Sequence, residues 1–116
     1  MPNNENRSMR QVIDYLELAA SPQKQLEYEA SVPIANVPSE LICGFADDLF
    51  HPKSPEFTDA FTADELKDLA ELYGRICISS EAFQRDGART VSDILKVSEW
   101  RRTMTFAQQL LVRLKG

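Results

Sequence analysis

Apolar residues recur along most of this chain at intervals of three and four, the spacing that lines up side chains on one face of an α-helix. Val12, Leu16 and Ala19 or Ala20, with Tyr15 beside them, predict a first helix over about residues 9–20. Ser8 with Gln11 three residues later has the pattern of a capping box at its start. Ser21-Pro22 then interrupts and restarts the chain, since serine caps a helix and proline suits its first position. A second helix follows over 22–30 with Leu26 facing inward, and Pro33 ends it. After the connector SVPIANVP, Pro38 opens a third helix over 38–50, with Leu41, Ile42, Phe45, Leu49 and Phe50 as its apolar positions. Asp47 and Asp48 fall on its outer side, and His51-Pro52 stops it.

The second half repeats the same grammar. Ser54-Pro55 predicts a cap and a short helix through about Ala60-Phe61. Thr62 with Glu65 is a capping box for the longest helix, over 63–84, with a stripe of Leu66, Leu69, Ala70, Tyr73, Ile76 and Cys77. Asp64, Asp68 and Glu71 lie off that stripe with Glu65 beside them, and acids in the first turn suit the helix dipole. Gly74 marks a place of close packing or a break, and Asp86-Gly87 ends the element. Thr90 with Asp93 caps a short helix carrying Val91, Ile94, Leu95 and Val97. A last helix from Ser98 to about Leu114 carries Trp100, Met104, Ala107, Leu111 and Leu114, widened by Leu110. The strand-like run at 76–79 is overridden by the helical period around it. The fold class is all-α: an irregular or orthogonal bundle of five to seven helices, with a disordered tail over 1–8 and one domain over 9–116.

Composition changes this picture little. With 116 residues, 43% hydrophobic and 27% charged, the chain can bury a core without disulfides or a metal. No apolar run is long enough to span a bilayer, and the polar start MPNNENRSMR does not read as a signal peptide, so the expected location is the cytoplasm. Cys43 and Cys77 then read as reduced, buried thiols.

Charge changes it more. The net charge of -5 argues against nucleic acid as a partner. Residues 36–75 hold nine acids against three bases, a balance of -6, whereas residues 85–116 hold seven bases against three acids, a balance of +4. Arg101 and Arg102 beside Trp100 suggest phosphate contacts, but the tryptophan belongs to the buried seam. The basic half is instead expected to be solvated and to pair with the acidic middle. The acidic middle either solubilises the protein or binds a basic partner.

Candidate chemistry is sparse. Asp47 and His51, at i and i+4, could supply two metal ligands with Asp64 or a neighbour as a third, short of the three or four converging groups a metal site needs. Cys43 or Cys77 with His51 would form a dyad only if a thiol left its apolar face. The four glycines, at 44, 74, 87 and 116, form no phosphate loop. No catalytic residue, cofactor or metal is expected.

The stretch VPSELICGFADDLFHPKSPEFTDAFTADELKDLAELYG, residues 37–74 and about a third of the chain, resembles a group of small acidic helical bacterial proteins. Their pattern is a Val-Pro opening, a helix ending in two acids, an aromatic-His-Pro turn, and a phenylalanine before a helix rich in acids and leucine. The later SEWRRTM segment is similar as well. Some members are immunity proteins of contact-dependent growth-inhibition systems. The resemblance implies a cytoplasmic protein, monomeric when free, that binds and blocks one toxin domain. It makes Asp47, Asp48, His51, Asp64, Glu65, Asp68 and Glu71 the candidate contacts, with neither nucleic acid nor membrane as partner. The alternatives are a metal-dependent enzyme using Asp47 and His51, or a self-associating adaptor.

Overall fold

The computed structural model of the chain describes residues 7–32 and 36–116. Among them are seven helices: α1 (Arg7–Ala19), α2 (Pro22–Ser31), α3 (Val37–Ala46), α4 (Pro55–Thr58), α5 (Ala63–Asp86), α6 (Val91–Ile94) and α7 (Ser98–Lys115). No strand occurs among the described residues, and the fold is all-α as the apolar period predicts. No helix among them is long and apolar enough to cross a membrane.

α5 is the spine. Its 24 residues run roughly 36 Å at 1.5 Å per residue. α7 lies against it, α1 packs on α7, and α3 packs on α5. α2 and α6 meet at one end of the bundle. Trp100, fully buried, meets Phe83 edge-on at 5.6 Å across the α5–α7 contact. The same contact encloses Ser79 and Thr103, whose hydroxyls bond at 3.0 Å, so neither polar atom is left unsatisfied.

Local capping sets most boundaries. Ser21 accepts from the Lys24 amide and Pro22 occupies the first turn of α2. Thr62 and Glu65 form the reciprocal capping box of α5, and Thr90 and Asp93 that of α6. Asp93 also accepts from the Arg89 amide, and these backbone bonds hold its carboxyl below the usual carboxylate range. Glu29 of α2 reaches the Val91 amide at 2.8 Å and ties α6 to α2. Gly87 closes α5 with φ 66°, in the left-handed region that glycine enters without a Cβ penalty.

Several boundaries and faces differ from the expectation. Ser8 lies inside α1 (Arg7–Ala19), where it cannot be the cap. α3 is opened by Asn36, whose side chain accepts from the Ser39 amide, and it ends at Ala46 rather than 50. Beyond Ala46 the amides of Asp48 and Phe50 reach back five residues, to Cys43 and Phe45, in a widened turn. Two acids at a helix C-terminus oppose its dipole, and the turn swings Phe50 back onto Phe45. Ser54 stands before α4 without a side-chain cap bond. Pro33 lies outside the described residues.

The buried face of α5 is rotated from the predicted stripe. Leu69, Leu72, Ile76, Ser79, Ala82 and Phe83 are buried, while Ala70 and Tyr73 are exposed and Leu66 and Cys77 are half-buried. The rotation follows from α7, which covers the Leu72–Ser79 side. Cys43 is exposed rather than buried, because its face of α3 points away from α5. In α2, Leu26 is 41% exposed and Gln25 is fully buried in its place. Gln25 Nε2 donates to the Leu18 and Ala19 carbonyls at 3.1 Å each, and its Oε1 accepts from Trp100 Nε1 at 3.2 Å. Gln108 of α7 donates to the Ala20 carbonyl at 2.9 Å. Two glutamines thus close the C-terminal end of α1, which has neither a capping glycine nor a base in its last turn.

α5 passes through Gly74 without a break, and a Cβ built there meets nothing within 4 Å. Gly74 therefore only weakens the helix, by about 1 kcal/mol relative to alanine. Gly74→Ala is expected to raise stability by that amount and the melting midpoint by about 3–5 °C. Thermal denaturation checks this, and a lower midpoint would contradict an open, uninterrupted helix at that point.

Candidate functional site

The seven acidic and histidine candidates fall into two groups on opposite flanks of α5. Glu71 and Tyr73 differ by roughly 200° of rotation about the helix axis. The flank bearing Asp68 and Glu71 faces α7. Arg113 of α7 bonds Asp68 at 3.1 Å. Arg75 holds Glu71 through two bonds of 3.0 and 2.7 Å while lying 4.7 Å from the Phe106 ring centroid. Glu65 is committed to the Thr62 amide. These three carboxylates are engaged within the fold. Asp64 is exposed in the first turn of α5.

The flank bearing Tyr73 faces the end of α3, where Asp47 and Asp48 are both exposed. The widened turn after Ala46 removes the i, i+4 relation of Asp47 to His51 that a continuous helix would give. The His51 ring instead donates from Nε2 to the Asp48 carbonyl at 2.8 Å and meets Phe57 edge-on. Among the described residues, no three His, Cys, Asp or Glu side chains converge as a metal site requires.

Aromatic rings join this acidic end to the core. Tyr15 and Phe45 lie 5.4 Å apart, Phe45 and Phe50 5.5 Å, and Phe50 stacks on Tyr73 at 5.2 Å. Tyr15 and Phe45 are buried, Phe50 is half-buried, and Tyr73 is 38% exposed. A shallow depression of about 560 Å³ beside Phe50 and His51 is lined also by Pro52, Lys53 and Ser54. The Tyr73 hydroxyl is pushed above its ordinary range by the neighbouring Cys77 thiol first, with Asp47 adding in the same direction.

A second concavity, of about 350 Å³, opens between α1, α2 and α3. Leu18, Tyr28 and Gly44 are among its walls, and Glu40, Cys43 and Asp48 stand along it. The Tyr28 hydroxyl donates to Glu40 Oε1 at 2.7 Å. Cys43 is exposed, but its thiol is pushed up by desolvation first and by Asp47 next, which keeps it protonated and a poor nucleophile. Asp48 lines this cleft, and its carbonyl accepts from His51, which lines the depression beside Phe50.

Sequence reasoning placed Asp47, Asp48 and His51 at this end of the molecule. It missed Tyr73 and Phe50 as surface groups, since both sat on predicted core stripes, and it missed Tyr28, Glu40 and Cys43. Nothing in the local pattern distinguishes Tyr28. Its partner Glu40 lies on another helix, twelve residues away. No family model, curated protein or solved structure matches this chain.

Proposed function

We propose that this protein is a non-enzymatic binding protein that engages a basic protein partner through the end of α3, in the manner of an immunity protein covering the active surface of a toxin domain. The carrying observation is the exposed Asp47–Asp48 pair set beside a Tyr73 ring stacked on Phe50. Exposed acids steer a basic partner and select it. An aromatic ring already fixed by stacking offers contact area at little entropic cost, as interface anchors do. The resemblance of residues 37–74 points to the same stretch, because it includes the two acids, the aromatic-His-Pro turn and Tyr73. None of the acids on α5 joins this surface, because Asp64 shares the flank of Asp68 and Glu71, four and seven residues on. Asp68 and Glu71 serve the fold through Arg113 and Arg75.

The test is co-expression with a toxin domain encoded beside this gene. The wild-type protein is expected to protect the host. Asp47→Lys with Asp48→Lys is expected to weaken toxin binding by about 100-fold, or roughly 2.7 kcal/mol, and to abolish protection while circular dichroism stays helical. Glu71→Gln, on the other flank, is expected to leave protection intact. Full protection by the double lysine variant would overturn the proposal.

A further inference from the structure

We propose that the cleft between α1, α2 and α3 receives one arginine side chain of the basic partner, its guanidinium held by Glu40 beside the Tyr28 ring and its aliphatic stem laid along Leu18 and Gly44. The inference rests on the binding function proposed above and names the chemistry it reads. About 350 Å³ lies at the small end of the range for ligand clefts, which suits one side chain better than a cofactor. Apolar surface at Leu18 and Tyr28 matches a three-carbon stem, and Glu40 at the opening matches its head.

Among the described residues no lysine or arginine lines the cleft, so Glu40 faces no internal cation there. Glu40 is already oriented. Tyr28 donates to its Oε1, which leaves Oε2 to accept from a ligand. Arginine fits better than lysine because a planar, weakly hydrated guanidinium stacks on an aromatic face and bonds carboxylates at the same time. The molecule holds one of its own arginines in this way. Arg75 lies over Phe106 and takes two bonds to Glu71.

The test uses n-butylguanidinium, followed by amide shifts in ¹⁵N-labelled full-length protein. Butan-1-ol and guanidinium chloride at matched concentrations serve as controls. Saturable shifts centred on Tyr28, Glu40, Cys43 and Gly44 are expected, with a dissociation constant on the order of 1–10 mM. Glu40→Gln is expected to weaken binding at least fivefold, and Tyr28→Ala to weaken it similarly. Butan-1-ol binding as tightly as butylguanidinium would show an apolar hollow only and overturn the proposal, as would the absence of saturable shifts. No partner is present in this measurement, so it is separable from the co-expression result. Loss of protection by the Asp47/Asp48 variant without guanidinium binding removes the arginine site and leaves the binding function. Guanidinium binding by the wild-type protein with undiminished protection by that variant keeps the arginine site and places the partner's contact away from Asp47 and Asp48.

Discussion

Gln25→Leu is expected to destabilise the protein by about 3–4 kcal/mol, although leucine is the more apolar residue and close in volume. The cost comes from what the amide serves. Trp100 Nε1 is fully buried and donates to Gln25 Oε1, and the α1 end carbonyls of Leu18 and Ala19 accept from Gln25 Nε2. Leu18 also accepts from the Ser21 amide, so the loss falls mainly on Trp100 and Ala19. Each buried group left without its partner costs about 1–3 kcal/mol. For a domain whose whole stability is about 5–15 kcal/mol, that is a large fraction. A double-mutant cycle checks the origin. Trp100→Phe removes the indole donor, so Gln25→Leu in that background is expected to cost about 1–2 kcal/mol less. Urea denaturation of the four proteins measures this, and strict additivity would show that the two side chains are energetically independent.

Phe45→Ala is expected to cost about 3–5 kcal/mol, as truncation of a fully buried phenylalanine does. Phe45 is the ring between Tyr15, anchored by its hydroxyl to the Leu41 carbonyl at 2.6 Å, and Phe50. A void there removes the backing of Phe50, and Phe50 is what Tyr73 stacks on. The substitution should therefore also broaden the aromatic resonances of Tyr73, some way from the site of change. Phe45→Leu keeps most of the volume and is expected to cost about 1–1.5 kcal/mol. A cost below about 2 kcal/mol for the alanine variant, with Tyr73 unaltered, would show that the surface ring does not depend on this support.

The sequence was most legible where the physics is local. Ser21, Thr62 with Glu65, and Thr90 with Asp93 all cap helices as their spacing predicts, because cap and amide lie within one turn. The seam of α7 through Trp100, Met104 and Ala107 was equally readable. Errors arose where one residue answers to a distant one. A hydrophobicity pattern favours Leu26 over Gln25, but Gln25 is buried by an indole 75 residues later and by the open end of α1. Tyr73 and Cys77 were assigned to the α5 core because the side on which α7 settles is not written within α5. The candidate acids suffered similarly. Along the sequence, Asp47, Asp48, Asp68 and Glu71 form one acidic stretch, yet α5 turns Asp68 and Glu71 toward α7 and its arginine. His51 is legible as a residue at the turn, but the widened turn redirects its ring to a backbone carbonyl.

The glutamine closure of α1 also constrains the order of assembly. One of its donors, Gln108, comes 88 residues after the carbonyl it serves, and Lys115 reaches Glu17 across 98 residues. During synthesis, α1 emerges early but keeps an unfinished end until the chain has been made through α7. These two bonds tie α7 back to α1 across 88 and 98 residues. Such long-range closure slows the final step and makes it all-or-none.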